Sequence, residues 1–288
     1  MKIILSILFI LTTNLSVNAM CSSSGISVWP SQKNIATNSI FVIEGYSQSQ
    51  ELIRQLNKKN KIYLTCNSEI IPIKVLRILE GQHSLTQAIL KPEKQLTIGK
   101  IYELHIDNLG MFDKNAYKVV KWTVSTKNDN IMPEWNCEPT YKGKSYVAYG
   151  CGPAIYVNFC GSVKDNSSTL IYAKVYDKTN KTSSDYFLTT DNQKISLGHG
   201  MCSGEFSFEE KIDYEVEFGL MDASGNENKV LTDPISFTGP TMDENTEKEF
   251  NCNCDKNTTY IWLYVLITFV IIGLGLLIYK KPTKSKRK

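Results

Sequence analysis

The sequence predicts an all-β protein in which two consecutive β-sandwich domains are followed by one C-terminal transmembrane helix. Three observations lead to this prediction: short stretches of alternating apolar and polar residues through the middle of the chain, a short apolar leader, and a long uncharged apolar run near the C-terminus. The composition is that of a folded protein, since 42% of the residues are hydrophobic and 21% are charged. It excludes collagen-like, disordered and coiled-coil chains.

The leader, residues 1–19, has the form of a secretory signal peptide. A basic residue precedes the apolar run Ile3–Leu11, and the stretch ends at the small residue Ala19, as signal peptides do. The run is too short to span a bilayer, which requires about 20 residues. We expect cleavage after Ala19. Lipid attachment to Cys21 is the alternative, although Met20 stands where a small residue is expected.

The apolar run near the C-terminus predicts a transmembrane helix over residues 260–279. The uncharged stretch Ile261–Tyr279, at about 1.5 Å per residue, matches the ~30 Å core of a bilayer. Six basic residues follow in the tail 280–288, and basic residues favour the cytoplasmic side. The sequence therefore predicts an exported single-pass protein, with its N-terminus in the periplasm or at the cell surface and its C-terminus in the cytoplasm.

Cys252 and Cys254 lie just before the predicted span. Cysteine, apolar helix and basic residues in this order resemble the C-terminal sorting signals of the MYXO-CTERM type. That resemblance implies removal of the tail and anchoring through a cysteine. We favour the alternative, a permanent membrane anchor, because this tail is rich in Lys rather than Arg.

The eight cysteines behind a signal peptide predict disulfides in an oxidising compartment. The disulfide candidates are Cys21, Cys66, Cys137, Cys151, Cys160, Cys202, Cys252 and Cys254. Eight cysteines allow 105 connectivities, and their spacing suggests pairing within three groups: the first two, the middle four and the last two. A zinc site formed by Cys151, Cys160, His199 and Cys202 is the alternative, but the spacing of its first two ligands is not that of structural zinc sites.

Alternation of period two predicts strands through the body of the chain. It is clearest in Tyr214–Leu220, where the apolar residues point one way and two glutamates the other. Turn-forming residues follow at Asp222–Asn226, and Val230–Phe237 is predicted as the returning strand. A helical turn is predicted over Gln50–Lys58.

The polar segment 127–130 is the predicted boundary between the two domains. It divides the exported part into an N-terminal domain over residues 20–129 and a second, cysteine-containing domain over residues 130–240. Each has about the length of an immunoglobulin-like sandwich. Residues 241–259 are acidic and poor in apolar side chains, which predicts a stalk.

Both halves resemble the immunoglobulin-like domains of uncharacterised exported bacterial proteins of the Bacteroidetes and myxobacterial type. The residues that carry the resemblance are Trp29-Pro30, Asn38-Ser39, Gln87–Leu90 and Gly99-x-x-Tyr102 in the first half, and Tyr149–Pro153, Gly198–Gly204 and Asp222–Asn226 in the second. The resemblance implies fold and location but no activity, because such folds host many functions.

The charge distribution does not favour a nucleic-acid partner. Seven of the 32 basic residues lie in the leader and tail, so the rest of the chain has 25 basic against 29 acidic residues, whereas nucleic-acid binders carry a net basic face. No catalytic, cofactor-binding or metal-binding motif is found.

The loop Gly198–Gly204, with His199 and Cys202, is the one segment whose composition suggests a functional loop. Its alternative is a tight turn in which Cys202 is bonded to Cys151 or Cys160, with His199 dispensable for folding.

These features predict a membrane-anchored extracytoplasmic protein that acts in binding or adhesion, without enzymatic activity or a cofactor. The expected partner is another surface or envelope protein. The alternatives are an anchored enzyme or an accessory subunit of an exported enzyme complex, with chemistry near His199, and a structural spacer in the envelope.

Overall fold

A computed structural model of the chain describes residues 24–190, 193–242 and 250–252, and within these ranges the protein is mostly β-strand. The strands of the first half are β1 (Gly25–Trp29), β2 (Asn34–Ala36), β3 (Phe41–Tyr46), β4 (Ile62–Cys66), β5 (Glu69–Glu80), β6 (Leu85–Pro92), β7 (Ile101–Ile106) and β8 (Lys121–Thr126). Those of the second half are β9 (Glu134–Tyr149), β10 (Gly152–Lys164), β11 (Thr169–Asp177), β12 (Thr182–Leu188), β13 (Lys194–His199), β14 (Asp213–Asp222), β15 (Glu227–Asn228) and β16 (Ile235–Thr238). Two short α-helices, α1 (Gln50–Arg54) and α2 (Met111–Ala116), and a 3-10 turn over Ser47–Ser49 lie between the strands of the first half. The predicted all-β class is confirmed.

The predictions for both chain ends lie outside the described residues. These are the signal peptide, the span over 260–279, the basic tail, and the cysteines Cys21 and Cys254. Within the described ranges, no helix has the length and apolar character needed to cross a bilayer.

The first half forms one continuous hydrogen-bonded path of eight strands, in the order β1-β3-β6-β5-β4-β7-β8-β2. The long strand β5 connects its two parts, because its first residues pair with β4 and its later residues with β6. The register of β5 shifts between Val75 and Arg77. Trp122, on β8, is almost completely buried and lies 4.4 Å from Phe41 on β3, measured between ring centroids. These two rings form part of the core between the two parts of the path.

The second half consists of two antiparallel sheets. The strand order of one is β13-β10-β9, and the order of the other is β12-β11-β14-β15, with β16 also paired to β14. The predicted alternation in Tyr214–Leu220 is confirmed, since the four apolar side chains of this stretch of β14 are buried in the core. Val230–Phe237 is not a single strand as predicted. Within this segment β16, which begins at Ile235, pairs with β14, whereas Val230 is 76% exposed.

The two halves share a hydrophobic core. The core of the second half includes apolar side chains from β3, β5 and β6 of the first half, among them Val42 and Ile89. The side chains that alternate with these, such as Ile43 and Ala88, pack into the separate core of the first half. Strands β3 and β6 therefore have both faces buried, and the part of the sheet that contains them lies between two cores.

The polar segment predicted as the domain boundary is held in place by hydrogen bonds from both halves. The Asn38 amide donates to the carbonyl oxygen of Asp129 at 2.7 Å and accepts from its backbone N–H at 3.0 Å. From the second half, the amide of Asn226 donates to the carbonyl oxygens of Asp129 and Ile131 at 3.1 and 3.2 Å. These bonds fix the connection between the halves.

The predicted helical turn over Gln50–Lys58 is present but shorter. Helix α1 ends at Arg54, and Leu52, Ile53 and Leu56 are buried as the pattern predicted. The helix is shorter than predicted because Asn57 adopts a positive φ of 58°, and residues in this left-handed conformation end helices.

The predicted grouping of the cysteines is wrong. Cys160, on β10, is bonded to Cys252, which was assigned to the stalk, and their Cα atoms are 5.4 Å apart. Cys66 and Cys151 are free thiols, the first buried and the second exposed. The spacing of the cysteines failed to predict this disulfide because residues 250–252 lie beside β10 and its neighbour β13. Lys194, on β13, lies over the ring of Phe250.

The bond between Cys160 and Cys252 closes a loop of 92 residues, so we expect it to contribute to stability mainly by restricting the unfolded chain. Replacing both residues (Cys160→Ser with Cys252→Ser) should lower the free energy of unfolding by about 2–4 kcal/mol, as measured by denaturant unfolding without reductant. Replacement of the free Cys151 by Ser is the matched control and should change it by less than about 0.5 kcal/mol. Equal effects of the two changes would contradict this account.

Candidate functional site

The loop singled out in the sequence is a packed turn. His199 ends β13 with 5% of its surface exposed, and its ring stacks on that of His83 with a centroid distance of 4.2 Å. His83 and Gly204 exchange two backbone hydrogen bonds, of 3.1 and 2.8 Å. A side chain at Gly204 would collide with His199, so only glycine fits there. The expectation that His199 is dispensable for folding stays a prediction, and the burial of its ring argues against it.

The surroundings of the His199 ring favour its neutral form. Burial lowers the pKa of the imidazole, the nearby His83 lowers it further, and a hydrogen bond with the carbonyl oxygen of Gly200 partly opposes both effects. Its Nδ1 lies 2.8 Å from that oxygen, so Nδ1 carries the proton. Among the described residues this is the only side-chain hydrogen bond of the His83–His199 pair.

The cysteine assignments around this loop also change. Cys202 is disulfide-bonded, but to neither of the expected partners, since Cys151 is free and Cys160 pairs with Cys252. The alternative zinc site is excluded for the same reason, because two of its four proposed ligands are in disulfides and cannot bind a metal as thiolates.

Glu205, the residue that follows this loop, lines a recess between the two halves. It has a volume of about 230 Å³ and lies between the outer face of β1, β3 and β6 and the ends of β11 and β12. Its lining residues are Ser27, Val28, Trp29, Ser31, Val42, Glu44, Gln87, Leu170, Phe187, Leu188, Thr189 and Glu205. Ser27, Ser31 and Thr189 are exposed at the rim, and the buried Val42, Leu170 and Phe187 form an apolar floor. We call this cavity the seam recess.

Glu44 and Gln87 are brought together by strand register. They are directly opposite each other on β3 and β6, and the Gln87 amide donates to the Glu44 carboxylate at 3.3 Å. The Tyr186 hydroxyl donates to the same carboxylate oxygen at 3.0 Å. Burial raises the pKa of Glu44, and the hydrogen bonds from Tyr186, Gln87 and Ser27 oppose that increase. Among the described residues, the groups that donate to this carboxylate are therefore all neutral.

Glu205 is the second carboxyl group of the seam recess. Burial raises its pKa to about 7, its own backbone N–H opposes the increase, and the charge of Glu44 adds to it. Within the ranges that the structure describes, neither Glu44 nor Glu205 forms a salt bridge. Two carboxyl groups thus line one partly buried recess, and no described residue forms an ion pair with either of them.

A second acidic group lies at the connection between the halves. Asp129, Asp165 and Asp222 each place one carboxylate oxygen within 4.8 Å of the other two. Carboxylate oxygens are the ligands that divalent cations prefer, so these are the described residues that could hold one. However, the Asp222 carboxylate already accepts three hydrogen bonds of 2.7–2.8 Å from Ser224 and Asn226. Those bonds shape the turn at Asp222–Asn226.

Sequence analysis missed both acidic groups. Glu205 is followed by alternating apolar and polar residues, a pattern that ordinarily places the acidic side chain in water. Glu44 is a single acidic residue at the end of an apolar run. The signal that could have identified Glu44 is the unbroken apolar run Phe41–Ile43 that precedes it on β3. Such a run indicates a strand covered on both faces.

The raised pKa of Glu205 makes the stability of the protein depend on pH. Between the ordinary value of 4.5 and about 7, the folded protein retains a proton that the unfolded chain loses, so stability falls as the pH rises. We expect Glu205→Gln to leave the free energy of unfolding unchanged near pH 4 and to raise it at pH 8. The increase should be about 1–2 kcal/mol, because a tenfold change in proton affinity corresponds to about 1.4 kcal/mol and partial exposure screens the charge.

Denaturant unfolding of both proteins across this pH range measures the difference, with Glu210→Gln at an exposed position as the matched control. A difference that is the same at every pH would show that the Glu205 carboxyl is not desolvated in the folded protein.

No family model and no curated protein sequence matches the chain. Among solved structures, a chain of a cytokine receptor complex is similar at 7% identity with a TM-score of 0.23, over 74% of this chain and 96% of the other. Pullulanase from Anoxybacillus sp. LM18-11 is similar at 10% identity and a TM-score of 0.22, over 64% of this chain and 23% of the other. Type I pullulanase from Bacillus subtilis str. 168, in complex with maltose, is similar at 11% identity and a TM-score of 0.21, over 73% of this chain and 28% of the other. TM-scores this low support no conclusion about family or ligand.

Proposed function

We propose that this chain is a membrane-anchored extracytoplasmic binding protein that acts in adhesion or envelope interaction. In this proposal residues 1–19 are removed on export, Ile261–Tyr279 anchors the chain, and the two halves are immunoglobulin-like sandwiches that face away from the cytoplasm. The partner is another surface or envelope protein, and recognition takes place at the seam recess.

The observation that carries the proposal is the composition of the seam recess. Its polar groups lie over an apolar floor and converge on one cavity, which is how binding sites are generally built. Trp29 supplies an aromatic surface at its edge. The two halves share one hydrophobic core, so the walls of the recess are held at a fixed separation. A preformed site of this kind loses little conformational entropy when a ligand binds.

Attachment between cells tests the binding function. Host cells that display the full-length chain should retain cells of the source organism, and Thr189→Trp, which places a large side chain at the rim of the seam recess, should lower the number of retained cells at least tenfold. Thr182→Trp is the matched control, because it changes an exposed threonine at the opposite end of β12, and it should retain wild-type attachment.

The two possible failures have different meanings. No attachment to cells with the wild-type chain would overturn the binding and adhesion function. Equal attachment with the two tryptophan variants would place the recognition surface elsewhere on the protein.

The exposed free thiol of Cys151 tests the proposed location. A membrane-impermeant maleimide should label the full chain on intact cells, and Cys151→Ser should abolish the label. The buried Cys66 should react only after denaturation. A cysteine introduced into the tail (Ser285→Cys) should react only after the membrane is permeabilised. Labelling of Cys151 that requires permeabilisation would contradict an extracytoplasmic location.

A further inference from the structure

A contact between the β5–β6 turn of the first half and the segment after β13 of the second half joins the two halves. The backbone N–H of Gln82 donates to the carbonyl oxygen of Glu205 at 2.9 Å, and His83 and Gly204 exchange two backbone hydrogen bonds of 3.1 and 2.8 Å. The ring of His83 stacks on that of His199, with the ring centroids 4.2 Å apart and the planes 24° from parallel. We call this set of interactions the histidine contact.

The stacked rings make the histidine contact sensitive to protonation, because imidazole ordinarily titrates between pH 5 and 8. His199 is 5% exposed, and its Nδ1 already donates to the carbonyl oxygen of Gly200. A second proton, on Nε2, would place a positive charge in a buried position against a ring that can also become charged. Burial lowers the pKa of His199, and the charge of His83 lowers it further. The closed contact therefore excludes a proton that a solvated imidazole would bind.

Other ionisable groups lie on the elements around the histidine contact: Glu80 on β5, Tyr156 on β10, Asp185 on β12, Lys194 on β13 and Glu205 after it. Two of these are in ion pairs, Glu80 with Arg54 and Asp185 with Arg77. Lys194 lies at the opposite end of β13 from His199. Burial raises the pKa of Tyr156 above its ordinary value of 10, so its hydroxyl stays neutral in acid.

Glu205 titrates in the same pH range as His199, since its pKa is about 7, and its titration has the opposite effect on stability. The two groups differ in what movement of the β5–β6 turn does to them. Glu205 lines the seam recess, to which the described residues of that turn do not contribute. Glu205 therefore stays buried when the turn moves, whereas His199 loses the ring that covers it.

The β5–β6 turn can separate from the second half without unfolding of either half. Gln82 and Ser84 are exposed, and local opening costs least where backbone hydrogen bonds lie near the surface. The halves stay joined elsewhere, because they share a hydrophobic core and the backbone N–H of Ile40 donates to the carbonyl oxygen of Ala223 at 2.8 Å. Separation of the turn admits water to His199, which can then bind its second proton.

We propose that the histidine contact is an acid-sensitive switch, in which the β5–β6 turn separates from the segment after β13 in mildly acidic solution. The inference goes beyond the proposed binding function and does not depend on it. Its consequence for the seam recess follows from the backbone, because the open contact lacks the hydrogen bond from Gln82 to Glu205. One wall of the recess then loses part of its support.

Amide hydrogen exchange of the detergent-solubilised full chain at pH 7.5 and pH 5.5, corrected for the intrinsic effect of pH on exchange, tests this switch. In the open form His199 has its ordinary pKa of 6.5, so acidification should increase opening about tenfold. The backbone N–H groups of Gln82, His83 and Gly204 should lose protection by that factor. The N–H of Ile40, which joins the halves elsewhere, should keep its protection.

His199→Phe keeps an aromatic ring in the buried position but cannot bind a proton, so it should abolish the change with pH. His105→Phe is the matched control, because His105 lies on β7, stacked on Tyr63 and outside the contact, and this variant should retain the change. Glu205→Gln should also retain it. If His199→Phe does not fold, the wild-type chain still decides, since its loss of protection must follow the titration of one group and be absent at Ile40.

Four results would overturn the inference. Equal protection of the contact amides at both pH values would show that the closed contact does not exclude a proton. An equal loss at Ile40 would indicate loosening of the whole junction. A change that persists in His199→Phe would assign the titration to another group, and a change confined to Glu205→Gln would show that two opposite titrations cancel in the wild type. These measurements contain no binding partner, so their failure is distinct from a failure of cell attachment.

Discussion

The burial of strands β3 and β6 on both faces is the constraint on which the rest of the structure depends. Each strand contributes alternate side chains to the core of the first half and to the core shared with the second half. An ordinary sandwich strand buries one face and leaves the other to water. Here the outer face is covered by β11, β12 and the segment after β13, so any polar residue on that face must be buried. Glu44 and Gln87 occupy such positions.

The same constraint explains the electrostatics of the seam recess. A carboxylate on an uncovered β3 would be solvated, and its pKa would remain near its usual value. Covering that face removes water and places Glu205 from the second half in the same recess as Glu44 from the first. The charge of Glu44 makes ionisation of Glu205 less favourable. Tyr186 and Gln87 compensate part of the cost with neutral donors. The protein retains two acidic side chains where apolar residues would pack without this penalty. Departures from local folding rules of this kind are concentrated at functional sites.

The sequence predicted the parts of the fold that depend on neighbouring residues. The alternation in β14 identified the strand and its buried face. The residues at Asp222–Asn226 predicted a turn, and three hydrogen bonds to the Asp222 carboxylate stabilise it. The apolar spacing at Leu52, Ile53 and Leu56 predicted which residues of α1 and the following turn are buried. In each case the determining contacts lie within a few residues along the chain.

What the sequence could not predict depends on contacts between distant segments. Glu44 and Glu205 are 161 positions apart, and no local pattern shows that they line one cavity. The spacing of the cysteines placed Cys160 and Cys252 in different groups. Their disulfide could not be predicted from that spacing, because it depends on the path of the chain after β16. The loop around His199 attracted attention through its glycines, yet its stacking on His83 depends on a turn between β5 and β6 in the other half. A period-two pattern identifies the two faces of a strand, but it does not show whether water or another sheet covers each face.

The disulfide between Cys160 and Cys252 connects the proposed function to the proposed anchor. Cys160 lies on β10, the central strand of its three-stranded sheet, whereas β16, the last strand in the described ranges, pairs only with β14. In an anchored adhesion protein, a pull from the membrane side would reach the folded body at Cys252. The covalent bond transfers that force to β10, which is hydrogen-bonded along both edges, and bypasses the four-residue β16. In that arrangement the load would enter the second half through β10 and not through β16.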